Sequence, residues 1–145
     1  MEEKLGMKIV RVSMQDEYLY HLDTMIFVAN TKQAIIAVDM FEKKEIKALE
    51  SVVEIFPVSD DDAYNGLTNS VRLGNMVLCA SDLHTLKSND ERYDEEKHKV
   101  ETLNKICSKL GMEPMLFNLS EFTKSGAMLS CMVMHLNRVD HQPLV

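Results

Sequence analysis

Ser70-Val71-Arg72-Leu73-Gly74-Asn75-Met76-Val77-Leu78-Cys79 reads as two short strands folded back on each other at Gly74-Asn75, the kind of dipeptide a tight hairpin turn requires. Downstream, residues 93–110 form the clearest helical pattern in the chain, with Val100, Leu103, Cys107 and Leu110 on one face and Gly111 as the stop. Met115-Leu116-Phe117 then reads as a strand. The same order occurs upstream. Met25-Ile26-Phe27-Val28 and Ala34-Ile35-Ile36-Ala37-Val38 flank a turn at Asn30-Thr31-Lys32, a hairpin of largely buried strands. Strong helix formers fill 41–50, and Val52 to Phe56 is the returning strand. The chain is therefore ββαβ twice over, offset by about 44 residues, which is a repeat signature. A ββαβ unit cannot bury its faces alone, and two units with a remainder form an incomplete stack.

The remainder lies at the two ends. Residues 7–12 (Met-Lys-Ile-Val-Arg-Val) alternate apolar and polar, as a half-buried strand does. A last strand is expected from Met128 to Leu136, a polar surface loop at 81–92, and a loose tail at 139–145 after a single domain of 1–138.

Composition narrows the function classes. The chain has 145 residues, 46% hydrophobic and 27% charged, which suits one soluble globular domain. A net charge of −7 argues against nucleic acid or an anionic membrane surface as partner. No apolar run approaches the ~18 residues of a membrane span, and the opening Met1-Glu2-Glu3-Lys4 is too acidic for a secretory leader. Cys79, Cys107 and Cys131 include no CxxC pair. That count and spacing disfavour a disulfide framework or a zinc site and suit a reducing, cytoplasmic compartment. Ser59-Asp60-Asp61-Asp62 lacks the distal Glu of a calcium loop and reads as an acidic helix start.

Two segments can carry chemistry. Cysteine in an apolar strand is usually packing, and Cys79 and Cys107 take that reading. Cys131 differs because it follows the Gly-bearing loop Ser125-Gly126-Ala127-Met128-Leu129-Ser130, where a side chain can project into a cleft. His21, in Tyr20-His21-Leu22-Asp23-Thr24, is by default a core histidine. Asp23, two positions on, would share its side of an extended segment and could hold a cationic substrate group or raise the imidazole pKa. A cysteine and a histidine far apart in sequence are the minimum for nucleophilic catalysis if the fold joins them.

Asn118 to Cys131 resembles the C-terminal nucleophile segment of the dimethylarginine dimethylaminohydrolases, members of the guanidine-modifying (amidinotransferase) superfamily. Tyr20-His21-Leu22-Asp23-Thr24 is similar to the catalytic-histidine segment of that superfamily, and Leu67-Thr68-Asn69-Ser70-Val71 resembles a stretch that precedes a strand with a characteristic Asn. The three motifs stand in the family's order and span most of residues 7–138.

The resemblance implies a five-bladed α/β propeller (pentein) of ββαβ units around a polar channel, of which this chain carries about half. It implies a dimethylargininase-like amidine hydrolase that converts methylarginine or arginine to citrulline and an amine or ammonia, without metal or organic cofactor. Cys131 would be the nucleophile, His21 the proton shuttle, Asp23 a guanidinium ligand, and the backbone at Ser125 a neighbour of the substrate's amino-acid end. Departures exist. Many superfamily members have Gly-Gly-Gly where this chain has Gly126-Ala127-Met128, and His21-Leu22-Asp23-Thr24 is closer to the deiminase form. The substrate is thus open between methylarginine, arginine and a related guanidine. The family's first half supplies a Glu-Gly-Gly-Asp segment and further Arg and Asp clamps, and no such segment occurs here. The expected partners are a small guanidine substrate and either a complementing N-terminal half or a second copy of the chain. The alternative is a non-catalytic relative that binds an arginine-like ligand or a protein.

Overall fold

Each repeat of the sequence pattern builds its own small mixed sheet. The computed structural model describes residue 6 and residues 8–134. In the first unit β1 (Ile26–Asn30) and β2 (Gln33–Ala37) form the hairpin, α1 (Lys43–Glu50) crosses over, and β3 (Glu54–Val58) returns beside β2. In the second unit β4 (Val71–Leu73) and β5 (Met76–Ala80) form the hairpin, the long helix α3 (Tyr93–Leu110) crosses over, and β6 (Glu113–Phe117) returns beside β5. A short helix α2 (Asp60–Tyr64) joins the units, and a second short helix α4 (Ser120–Thr123) follows β6. Pairing is antiparallel within each hairpin and parallel across each helix, because a return in the same direction needs a crossover. β3 and β6 are each hydrogen-bonded on one side only, and each carries a proline (Pro57, Pro114), a residue that edge strands tolerate.

Local chemistry starts and stops the crossovers. At the start of α1, Glu42 and Glu45 form a reciprocal capping box. The second Glu45 oxygen accepts the Ser13 N–H at 2.8 Å, so one buried carboxylate also pins the incoming segment. Helix α3 begins with Asp94, Glu95 and Glu96 and ends at Gly111, whose φ of 67° is the left-handed stop. Ser59 caps α2 by accepting the Asp62 N–H, so the Asp60–Asp62 run is a helix start.

The two units share one core, in which Phe27, Ile35 and Ile36 of the first unit join Val77, Cys79 and Leu103 of the second. Lys99 interrupts the apolar face of α3. It is 2% exposed, and its Nζ reaches Glu96 at 2.6 Å and the carbonyls of Asn65 and Ala80 at 2.9 Å each. All three ammonium hydrogens thus have acceptors. Glu96 also accepts the Ser81 hydroxyl at 2.8 Å. The pair ties α3 to the end of α2 and to the end of β5.

Three expectations need correction. Residues 8–12 are not part of a strand, and position 7 lies outside the described residues. The returning strand of the first unit starts at Glu54, because the Val52 and Val53 amides still bond to Leu49 at the end of α1. The stretch from Met128 holds a 3-10 turn at Ser130–Met132 in place of a strand, and positions 135–145, with the expected tail, lie outside the described residues.

Replacing Lys99 with Met removes the close cation of buried Glu96 and leaves it only the more exposed Arg92, at 4.0 Å. Chemical denaturation is expected to show a loss of about 3–5 kcal/mol, much of it regained when Glu96→Gln is added. An additive double mutant would mean that the two groups do not act as a pair. A second expectation concerns Asp16, which accepts the Leu19 and Tyr18 amides and the Tyr64 hydroxyl. The Leu19 amide first, and then Tyr64, hold its carboxyl below the usual carboxylate range. A depressed folded-state pKa gives stabilisation that is complete above the unfolded value of about 3.9. It is lost as pH falls further, through the folded value. The Leu19 amide shift should therefore titrate below about pH 4 in the wild-type protein and stay flat in Asp16→Asn.

Candidate functional site

The entry end of each hairpin faces the turn that carries Cys131. Ahead of β1 the chain makes a 3-10 turn, Leu22–Thr24, held by Thr24 and Met25 amides on the His21 and Leu22 carbonyls. Ahead of β4, one repeat later, lie Thr68, Asn69 and Ser70, all buried. The Thr68 hydroxyl bonds the Thr24 carbonyl across the repeat offset and locks one entry turn to the other.

Asn69 is fully buried and is the hub. Its Oδ1 accepts the Ser130 N–H at 2.7 Å. Its Nδ2 lies 3.1 Å from the Asp23 carbonyl, 3.2 Å from Asp23 Oδ2 and 3.4 Å from Cys131 Sγ. Two amide hydrogens shared among three acceptors fill the donor side of the group. Asp23 Oδ2 also accepts the Ser130 hydroxyl at 3.0 Å, and Cys131 Sγ sits 3.5 Å from the same oxygen. A carboxylate, a thiol and a buried amide thus meet at one point, contributed by positions 23, 69 and 131. Beside them runs a cleft of ≈ 310 Å³, lined by Asp23, Thr68, Ser70, Arg72 and Ser130 together with apolar β1 residues such as Val28.

Of the residues singled out from sequence, the fold brings Asp23 and Cys131 together. His21 is exposed, its ring edge-on to Tyr20 with centroids 4.4 Å apart, and no hydrogen bond joins it to Cys131 among the described residues. The expected extended His-x-Asp segment is cut short: His21 keeps an extended backbone, and the 3-10 turn that begins at Leu22 rotates each following residue by roughly 120°. Asp23 therefore turns inward while His21 stays outside. Ser125 is exposed in the turn after α4, with its amide on the Phe122 carbonyl. The other cysteines are set apart: burial pushes the Cys79 thiol up, and burial with Cys79 as neighbour pushes Cys107 up to about 11. Cys131 is the exposed cysteine of the three. Among the described residues, no group of His, Cys, Asp and Glu side chains is arranged to hold a metal ion. Nor, among them, is any helix long and apolar enough to cross a membrane.

Sequence reasoning does not single out Asn69 and Ser130 as site residues. A signal exists in the polar triplet Thr68-Asn69-Ser70, which precedes an apolar strand at the position Thr24 occupies one unit earlier. Polar residues at the equivalent joint of two repeats face one another.

No family model matches the chain, and no curated protein does. Solved structures do. The chain is similar to the N-terminal domain of ArgZ bound to product, an arginine dihydrolase from the ornithine-ammonia cycle in cyanobacteria, with 21% identity, a TM-score of 0.66, and coverage of 90% of this chain and 42% of that one. A variant of the same ArgZ domain, covalently bound to a reaction intermediate, matches with 21% identity and a TM-score of 0.67 over 90% of this chain and 43% of that chain. Unliganded AgrE matches with 22% identity and a TM-score of 0.58 over 83% of this chain and 16% of that chain. These likenesses show the fold, that of a pentein-type ββαβ domain, and the chain spans less than half the length of the structures it matches.

Asn69→Ala strips the Ser130 amide and Asp23 of their shared partner. A loss of about 1–3 kcal/mol is expected, with faster hydrogen exchange at Ser130. Unchanged melting and exchange would show that the Cys131 turn holds itself.

Proposed function

We propose that this chain is the nucleophile-bearing part of a guanidine-group hydrolase, acting on methylarginine, arginine or a related guanidine. The observation that supports the reading is the approach of an exposed thiol to a half-buried carboxylate, Cys131 Sγ to Asp23 Oδ2 at 3.5 Å, beside a cleft. Such a pair has a chemical logic. A bound guanidinium would give the carboxylate and the sulfur one cation to face, with hydrogen bonds to both.

The proposed reaction proceeds in two steps. Cys131 gives up its proton to solvent and attacks as the thiolate; its sulfur bonds to the guanidinium carbon, and one C–N bond breaks, the departing amine or ammonia taking a proton from the general acid. The covalent thiouronium so formed is attacked by water at the same carbon; the C–S bond breaks to return the thiolate and citrulline leaves, one water proton passing to the base and the other to the released amine or ammonia. His21 is proposed as that acid and base. Its imidazole lies outside the site in this structure, so the role requires it to swing inward past Tyr20 when substrate binds. Asp23 is proposed to hold the guanidinium nitrogens, and the backbone at Ser125 to border the amino-acid end. No metal or organic cofactor enters this chemistry.

Positioning supplies a large part of the rate in such reactions, and the family's guanidinium-binding Glu has no counterpart motif in this chain. We therefore propose that full activity needs a complementing set of blades. Apolar side chains left open, among them Tyr20, Val28 and Leu73, are suited to meet either those blades or a second copy of the chain. A non-catalytic ligand-binding relative remains the second reading, favoured by the outward His21.

The deciding experiment is alkylation by a chloroacetamidine, a guanidinium mimic, read by peptide mass spectrometry. Cys131 is expected to be labelled ahead of Cys79 and Cys107, with arginine analogues slowing the labelling. Equal labelling of all three cysteines, or none at Cys131, would count against a hydrolase site. Citrulline release by this chain alone should be slow or absent; release at ordinary enzyme rates would overturn the need for complementing blades.

A further inference from the structure

The Asp23 carboxylate is engaged on one side only. Its Oδ2 accepts the Ser130 hydroxyl at 3.0 Å and an Asn69 amide hydrogen with Nδ2 at 3.2 Å, and Cys131 Sγ lies 3.5 Å away. A carboxylate oxygen offers about two lone-pair sites, so the two shorter contacts fill Oδ2. Oδ1 has no hydrogen-bond partner among the described residues. Asp23 is half-buried and lines the cleft, which leaves Oδ1 as the oxygen open to a ligand.

The two donors on Oδ2 differ in what else they do. Asn69 is buried, and it also bonds the Ser130 amide and the Asp23 carbonyl, so it is part of the framework. The Ser130 hydroxyl has the Asp23 contact alone, while its turn is held separately by its own amide on Asn69. Deleting the hydroxyl therefore leaves the backbone latch in place and frees one lone-pair site of Oδ2. That site matters for one class of ligand. A guanidinium presents parallel N–H groups that match both oxygens of a carboxylate, whereas an ammonium is a point charge satisfied by one oxygen. With Oδ2 filled, the two-oxygen fork is closed.

We infer that Ser130 is a positioning residue whose hydroxyl restricts Asp23 to a one-oxygen contact with a bound cation. The inference rests on the guanidine reading of Asp23 and Cys131. Asp23 then senses the charge of the cation, and the shape of a guanidinium must be read by other groups. A bound guanidinium donates one N–H to Oδ1 and keeps the rest for neighbouring acceptors, Cys131 Sγ among them. Ser130 thus trades tightness at Asp23 for a nitrogen left free to face the sulfur.

The test uses the intact chain and the protection of Cys131 against iodoacetamide, a neutral reagent that does not compete for Asp23. The competitors are L-arginine and L-lysine, which share an amino-acid end and differ in the cationic head. In the wild-type protein the two are expected to protect at concentrations within about threefold of each other. In Ser130→Ala, arginine should protect at a concentration lower by roughly tenfold, because a second charge-assisted hydrogen bond becomes available. Lysine should stay where it was, and Ser130→Thr, which keeps the hydroxyl, should match the wild type. A merely structural role for Ser130 would not tighten one cation and spare the other. If Ser130→Ala does not fold, the wild-type comparison decides. A strong arginine preference in the wild-type protein, or an arginine-to-lysine ratio no greater in Ser130→Ala, overturns the inference while the guanidine reading stands. Protection by neither cation, in wild type and variant alike, removes the guanidine reading, and the inference with it.

Discussion

A buried amide must find partners for both its ends, and at Asn69 that requirement shapes the architecture. The side chain is fully enclosed, so its acceptor and its donors are satisfied inside the protein or not at all. The acceptor takes the amide of Ser130; the donor faces Asp23 and Cys131. Three segments that share no strand or helix are thereby held to one another: the turn before β1, the joint before β4, and the turn that carries Cys131. An apolar residue of the same shape at position 69 would pack well enough, but it would leave Asp23 and the Ser130 amide without their common partner. The site exists because the joint between the repeats is polar.

The joint is polar for a second reason. In each unit the first strand of the hairpin has a free side, and the carbonyls of β1 on that side need donors. Side chains of the next unit donate here, Thr68 to the Thr24 carbonyl in the turn ahead of β1 and Arg72 to the Ala29 carbonyl within it. Side chains thus replace the backbone ladder that a continuous sheet would have supplied. This explains how two separate three-stranded sheets sit side by side without a shared edge. It also explains why polar residues intrude into a stretch, Thr68 to Arg72, that is otherwise ready to be an apolar strand.

Most of the framework is legible in the sequence because local signals agree with the tertiary fold. Helix α3 spans Tyr93–Leu110, as read from its apolar face and Gly111, and both hairpins fall where their turns predict. The misses share a cause. The alternation at 7–12 and the apolar run after Met128 carry strand patterns, but a strand needs a partner edge, and periodicity contains no information about whether one is available. Ser130 bonds to the Asn69 side chain and carbonyl instead, which curls the segment into a 3-10 turn. The same limitation affects Tyr20 to Thr24, where a turn replaces the extended pair and separates His21 from Asp23. At the site, Asp23 and Cys131 are found through motif resemblance, whereas Asn69 as hub and Arg72 as lining emerge only from contacts between repeats.

The position of His21 follows from the same physics. Its carbonyl is fully engaged, accepting both the amide and the hydroxyl of Thr24, so the backbone of the turn is rigid where the imidazole is not. The ring rests on Tyr20, itself 64% exposed, and among the described residues it has no polar partner holding it there. A side chain anchored at its base and loosely held at its tip can change rotamer at little cost, while Asp23, Asn69 and Ser130 cannot move without breaking several bonds at once. The arrangement separates a rigid polar floor, built by Asp23, Asn69 and Ser130, from a loosely held imidazole.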